Sequence, residues 1–289
     1  MFWPDFKTSA PLKRGHDRRG HRFRRIPARL LLPSLITLLA LCSGVTAIRM
    51  AVEGRYQLAT GAIVLAIILD AVDGRLARFL KSASRFGAEL DSLADFVNFG
   101  VAPAILIYLW SLHALDNLGW IVALALAICC ALRLARFNVV LDEPGKPAFA
   151  ENYFVGVPAP AAAGLALLPM YIGFLGLVHD GEAIASIVLA YIAVIGLLMV
   201  SRAPTFSGKT IGRRIHRDMV MPVLLIVVLV TALLISFPWI MLSGFALCYL
   251  TSLPIGLRSY ARQSRRYNAR QAMMKTEDEI VRSEEGSDT

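Results

Sequence analysis

The sequence is poor in charged residues and in cysteine. Asp, Glu, Lys and Arg together make up 18% of the 289 residues, against about a quarter in ordinary soluble domains. The four cysteines all fall in apolar runs and show neither metal-ligand spacing nor a disulfide framework. No histidine falls in a long apolar run, and no internal repeat is present. These features exclude a disordered chain and a small disulfide scaffold.

Long apolar runs are the main feature of the sequence. Hydrophobic residues make up 56% of the chain, and the mean hydropathy is +0.59. A helix needs about 20 residues to cross the hydrocarbon of a bilayer, and eight runs come near that length. They are residues 31–48, 57–73, 90–109, 118–135, 159–177, 183–200, 219–236 and 239–257. The sequence therefore predicts an all-α, polytopic membrane protein with about eight transmembrane helices.

The net charge of +9 is concentrated in one arm. Residues 1–29 carry nine Lys and Arg against two acids, so we expect a basic arm that binds anionic lipid headgroups rather than nucleic acid. Residues 30–257 are predicted to form the transmembrane catalytic domain and residues 258–289 a cytoplasmic tail. With both termini in the cytoplasm, 28 of the 30 basic residues lie on the inner side. Such an imbalance supports this topology in the inner membrane.

Four acids lie within the apolar runs and not in the loops. Asp70 and Asp73 end the second predicted span, and Asp91 and Asp95 lie in the third. Spacings of three and four residues put each pair on one helix face, and the two helices are consecutive and antiparallel. Grouped carboxylates near hydrocarbon repel one another and lose hydration, and one or two divalent cations relieve both costs. Oxygen-only ligation favours Mg²⁺ or Mn²⁺.

A salt network is the structural alternative for these acids. Arg75, Arg78 and Arg85 lie in or beside the short link between the two helices, where they could neutralise the carboxylates at the membrane surface. Gly74 and Gly87 flank the acids, however, and a glycine lets a phosphate approach the backbone closely. This combination favours a site for metal and phosphate.

The segment from Asp70 to Asp95 resembles the signature of the CDP-alcohol phosphatidyltransferase family at eight fixed positions. These are Asp70, Asp73, Gly74, Ala77, Arg78, Gly87, Asp91 and Asp95. The resemblance implies that family's fold and a site for two divalent ions, Mg²⁺ or Mn²⁺. In it the first three aspartates hold metal, while Asp95 acts as the base and also contacts metal. It further implies that Gly74, Ala77, Arg78 and Gly87 bind CDP-diacylglycerol.

The start of the first span departs from the family pattern. Many members have Pro-Asn before a Leu/Ile-Thr pair, whereas this chain has Pro33-Ser34-Leu35-Ile36-Thr37. Ser34 can still donate a hydrogen bond to a nucleotide or phosphate, with less reach than asparagine. We therefore expect Ser34 and Thr37 to belong to the CDP-diacylglycerol site.

Three further segments resemble the bacterial branch of the family that uses serine: 91–104, 132–139 and 153–164. The resemblance implies a homodimeric enzyme that transfers the phosphatidyl group of CDP-diacylglycerol to L-serine, giving phosphatidylserine and CMP. Serine brings a carboxylate, which arginine recognises well. The candidates for the serine site are Arg133, Arg136, Asn138, Arg202 and Lys209.

Other functions remain open at this point. The same chemistry could use choline, which calls for an aromatic cage, or glycerol 3-phosphate, which calls for a denser basic cluster. A cation-coupled transporter would instead place its acids near the midplane, often at broken helices in paired repeats. A membrane scaffold recruited through the basic arm would not need the four aspartates at all.

Overall fold

The computed structural model describes residues 28–80, 84–141, 153–178, 180–201, 204–206 and 220–254. This part of the chain is almost entirely helical, which confirms the predicted all-α class. Its α-helices are α1 (Ala28–Val52), α2 (Tyr56–Phe79), α3 (Arg85–Asp95), α4 (Ala102–Trp110), α5 (Asp116–Leu141), α6 (Ala159–Ala166), α7 (Leu168–Phe174), α8 (Ala185–Val200), α9 (Val220–Ser236) and α10 (Pro238–Pro254).

Short elements complete the described fold. A π-helical segment, Phe96–Val101, joins α3 to α4, and 3₁₀ turns Leu112–Leu115 and Glu182–Ile184 precede α5 and α8. Strands β1 (Tyr153–Val155) and β2 (Pro204–Phe206) pair antiparallel. This two-stranded ribbon ties together the segments that follow α5 and α8.

Five helical stretches are long and apolar enough to cross a membrane. They are Leu32–Val52, Tyr56–Phe79, Arg85–Trp110, Leu112–Val139 and Glu182–Val200. They coincide with the first four and the sixth of the predicted spans. The prediction of a membrane protein is therefore confirmed.

The other three predicted spans are shorter or bent. The run 159–177 forms α6 and α7, which are broken before Pro169 because proline cannot donate the backbone hydrogen bond that would continue a helix. Helices α9 and α10 meet at an angle of 118° and count as one bent pair. The described residues thus give five spans, or six with the bent pair, and the count of eight is not confirmed.

Small residues let the first two helices pack closely. Ala47 and Ala51 of α1 are buried against Ala59 and Ile63 of α2, and α1 and α2 form the most extensive helix pair of the described fold. Close backbone approach of this kind replaces the hydrophobic driving force that is missing between helices in lipid. The α1–α2 pair is therefore a rigid platform that fixes the depth of residues on both helices.

The stretch Arg85–Trp110 lies at the centre of the bundle. Half of the residues in its most apolar 18-residue segment are buried, against 28–33% of the residues in the corresponding segments of the other four spanning stretches. Its π-helical segment packs against α1, α5 and α6. The helix that carries Asp91 and Asp95 is thus held from several sides.

One glycine is required for this central packing. A Cβ atom at residue 44 would overlap the side-chain amide of Asn98, which is only 1% exposed. We expect Gly44→Ala to destabilise the fold by about 1–3 kcal/mol through overpacking. Gly61→Ala is the matched control, because nothing lies within 4 Å of its Cβ position, and a helical alanine adds up to about 1 kcal/mol. Thermal unfolding in detergent measures both, and equal melting temperatures would contradict this packing.

Candidate active site

Three aspartates from two consecutive helices converge between the C-terminal half of α2 and α3. One carboxylate oxygen from each of Asp70, Asp91 and Asp95 lies within 4.8 Å of the other two, and all three residues are half-buried. Helix α2 supplies Asp70, and α3, which returns antiparallel to it, supplies the other two. The arrangement gives an all-oxygen cluster of negative charge at the edge of the apolar bundle.

The fourth aspartate is held by a different partner. Asp73 is 3% exposed, and the hydroxyl of Thr37 on α1 donates to its Oδ2 at 2.7 Å. The same Thr37 Oγ1 lies 3.1 Å from the carbonyl oxygen of Pro33. Thr37 was predicted to contact the CDP-lipid, and its position beside Asp73 was not foreseen. The hydrogen bond fixes the orientation of the Asp73 carboxylate relative to α1.

A cavity of about 180 Å³ opens between α1, α2 and α3. Its lining residues come from the signature and from the start of the first span. They are Pro33, Ser34, Thr37, Asp73, Gly74, Ala77, Ser84, Gly87, Ala88 and Asp91. Five of the six residues predicted to bind CDP-diacylglycerol therefore line one cavity, and two of the four aspartates border it.

Arg78 is the predicted donor contact that does not line this cavity. Its side chain is exposed, and its Nε donates to the carbonyl oxygen of Gly74 at 3.0 Å. Ser84, which was not predicted, does line the cavity and accepts a hydrogen bond from the Gly87 backbone N–H at 3.0 Å. Ser84 is the N-cap of α3. The available signal was a serine three residues before Gly87, in the link before the third predicted span, since serine is a favoured N-cap residue.

Of the predicted serine-site residues, Arg133 faces the aspartates. It is half-buried on α5 and interacts electrostatically with Asp95. Its Nε is buried and has no hydrogen-bond partner among the residues that the structure describes. A buried charged donor without an acceptor is costly, so this position suits an anionic ligand group.

The other predicted serine-site residues have different surroundings. Arg136 is exposed and its Nη1 donates to the carbonyl oxygen of Val200, at 2.7 Å, at the end of α8. Asn138 donates from Nδ2 to the hydroxyl of Ser92 on α3 at 3.1 Å. Both contacts join helices. Arg202 and Lys209 lie outside the described residues.

The cluster fits a divalent cation better than a salt network. Its ligand atoms are carboxylate oxygens, which Mg²⁺ and Mn²⁺ prefer. Within the described part of the chain, no ion pair shorter than 4.0 Å joins any of the four aspartates to a lysine or arginine. Arg75, Arg78 and Arg85 therefore do not neutralise the cluster by direct contact.

Comparison with known families identifies the class of protein. A family model described as CDP-alcohol phosphatidyltransferase matches residues 30–201, and a second, described as CDP-alcohol phosphatidyltransferase 2, matches residues 218–254. The chain belongs to the CDP-alcohol phosphatidyltransferase family. Members of this family generally depend on a divalent metal ion, in keeping with the acidic cluster.

Individual relatives share most of the chain. A CDP-diacylglycerol–serine O-phosphatidyltransferase of Mycobacterium tuberculosis is 37% identical over 239 residues, which cover 79% of each chain. The Helicobacter pylori protein of that name is 35% identical over 179 residues, 61% of this chain and 73% of the relative. One from Methanocaldococcus jannaschii is 41% identical over 149 residues, 51% of this chain and 64% of its own. The likeness extends well beyond the signature.

The Thr37–Asp73 hydrogen bond generates a test of this geometry. Thr37→Val keeps the side-chain shape but removes the donor, so phosphatidyltransferase activity should fall about 10- to 100-fold, as expected for the loss of a hydrogen bond to a charged group. Thr37→Ser should restore activity to within a few-fold of wild type. CMP release measures activity, and the melting temperature checks folding. Equal losses in both variants would show that the hydroxyl does not orient Asp73.

Proposed function

We propose that the protein transfers the phosphatidyl group of CDP-diacylglycerol to the hydroxyl of L-serine, giving phosphatidylserine and CMP. The observation that carries this proposal is the cluster of Asp70, Asp91 and Asp95 beside a cavity lined by the signature residues. The serine-specific names of the relatives that align over most of the chain support the choice of acceptor.

The cavity between α1, α2 and α3 is the binding site for the CDP part of the donor. Gly74 and Gly87 leave room for the pyrophosphate to approach the backbone. Ser34 and Ser84 offer hydroxyl groups on the same lining. Asp91 borders the cavity and belongs to the acidic cluster, so a pyrophosphate there lies next to the carboxylates.

Asp70, Asp73 and Asp91 would hold divalent metal, with Asp95 as a further ligand. Two Mg²⁺ or Mn²⁺ ions bound there would neutralise charge on the phosphoryl oxygens and on the departing CMP. The Thr37 hydroxyl donates to one Asp73 oxygen, which leaves the other oxygen for a metal ion.

Asp95 is the general base for the acceptor. The serine hydroxyl oxygen attacks the phosphorus that carries the diacylglycerol, and Asp95 takes the hydroxyl proton. The bond from that phosphorus to the bridging oxygen breaks, and CMP leaves with this oxygen and its electron pair. Since the sequence offers no Ser/His or Cys/His pair, the attack is direct.

Arg133 favours serine over the other two acceptors. Its guanidinium lies near Asp95 and suits a carboxylate. Choline carries a fixed positive charge, which Arg133 would repel. The phosphate of glycerol 3-phosphate would need more than one cation. Arg136 does not supply a second one, because its Nη1 donates to the Val200 carbonyl oxygen.

The site faces the cytoplasm at the inner membrane, and both termini lie on that side. The two basic residues assigned to the outer side, Arg49 and Arg55, both pair with Glu53, at 2.8 and 3.7 Å. The hydrogen bond and charge of Arg49 hold the pKa of Glu53 below its usual range. The positive-inside rule counts Lys and Arg and not net charge, so the support for this topology is that only these two basic residues are assigned to the outer side.

Two further parts of the proposal concern the partners of the protein. The basic arm, residues 1–29, binds anionic lipid headgroups, and the enzyme works as a homodimer. A cation-coupled transporter is less favoured because the sequence shows no internal repeat of the kind that often frames a transport site. A membrane scaffold is less favoured because it would not need the acidic cluster.

Asp95→Asn tests the base. The amide keeps the size of the carboxyl group but cannot accept the proton, so turnover should be abolished while binding of CDP-diacylglycerol survives. Asp116→Asn, at the outer start of α5, is the matched control and should keep full activity. The measurements are CMP release and binding of a radiolabelled donor. Full activity of Asp95→Asn would refute the assignment.

Metal and acceptor are tested with the wild-type protein in membranes. EDTA should stop the reaction, and Mg²⁺ or Mn²⁺ should restore it. Radiolabelled serine, choline and glycerol 3-phosphate, each supplied with CDP-diacylglycerol, should give labelled lipid with serine alone. Turnover in metal-free buffer would refute the metal centre, and labelled lipid from choline would refute the acceptor.

A further inference from the structure

The helix α5 runs beside α3 and the π-helical segment that follows it, in a register that two contacts define. At one end, a Cβ at Gly100 would lie 3.0 Å from Cβ of Cys130, so these residues touch. At the other end, Asn138 donates to Ser92 at 3.1 Å. Residues 130 and 133 are one turn apart and lie on the same face of α5, and residue 138 follows further along the helix. Arg133 therefore lies between the two contacts, opposite the turn of α3 that carries Asp95.

The helix α10 also lies close to Arg133. Trp239, near its start, packs against Phe174 with ring centroids 4.7 Å apart. Ala246 and Leu253 are buried in the core of the bundle, and at spacings of three and four residues Tyr249 lies on their face. The Tyr249 hydroxyl is buried, and Tyr249 interacts electrostatically with Arg133.

Asp95, Arg133 and Tyr249 thus form a polar group on the side of the acidic cluster that faces α5 and α10. The donor cavity lies between α1, α2 and α3. The Nε of Arg133 is buried without a partner in the described residues. An anionic ligand group at this point would satisfy that donor and lie beside the proposed base.

We propose that Arg133 and Tyr249 together bind the carboxylate of the acceptor, so that α10 determines the selectivity for an acceptor with a carboxylate. This inference rests on the proposed function. The guanidinium supplies charge and a planar pair of donors, and the phenol supplies a third hydrogen bond. With its carboxylate held there, serine presents its hydroxyl to Asp95.

The test compares L-serine with L-serinamide, which keeps the hydroxyl and amine but replaces the carboxylate by a neutral amide. Wild type should prefer serine strongly in kcat/KM. Tyr249→Phe should reduce that preference about 10-fold, as expected for one hydrogen bond to a charged group. The KM for CDP-diacylglycerol should stay unchanged. Arg133→Gln should reduce the preference further. The double variant should lose less of the preference than the product of the two single losses, because the two residues act on the same carboxylate.

Tyr191→Phe is the matched control. The Tyr191 hydroxyl donates to the Leu165 carbonyl oxygen at 2.8 Å, away from the aspartates, so its loss should leave the serine-to-serinamide ratio unchanged. Where Arg133→Gln does not fold, Arg133→Lys replaces it, because lysine keeps the charge and loses the planar fork.

The outcomes separate the two proposals. A wild-type protein that makes no lipid from serine overturns the proposed function and this inference with it. A protein that uses serine, but whose Tyr249→Phe variant loses the same factor with serine and serinamide, keeps the function and overturns the inference. A selective loss with serine supports it.

Discussion

Three carboxylates lie within 4.8 Å of one another at the edge of an apolar bundle, and the surrounding residues must hold them together. Their mutual repulsion and lost hydration are expensive near hydrocarbon, and the described residues provide no close ion pair to offset this cost. The alanine-rich contact between α1 and α2 and the Thr37–Asp73 hydrogen bond hold the acids in place. A divalent cation bound by the cluster would relieve this cost.

The surroundings of the cluster differ on its two sides. The cavity with the signature glycines lies between α1, α2 and α3, whereas Arg133 and Tyr249 approach from α5 and α10. Displacement at phosphorus places the attacking and leaving groups roughly in line. A donor on one side and an acceptor on the other, with the carboxylates between, suit that geometry.

Local patterns predicted much of the fold and the chemistry, but not the contacts between distant helices. Continuous apolar runs located the five long spans, and Pro169 was a visible signal for the break between α6 and α7. The angle between α9 and α10 depends on how α10 packs against α7, which a local pattern does not contain. Likewise, the Thr37–Asp73 bond joins residues 36 positions apart, and the approach of Tyr249 to Arg133 depends on tertiary packing.

The most direct test of the metal centre is anomalous diffraction from crystals grown with Mn²⁺ and a CDP-diacylglycerol analogue. The account predicts a manganese peak bound by carboxylate oxygens of Asp70 and Asp91, with the analogue's pyrophosphate beside it in the cavity between α1, α2 and α3. A structure with the analogue bound and no manganese at these carboxylates, or with the aspartates paired directly to arginines, would contradict it.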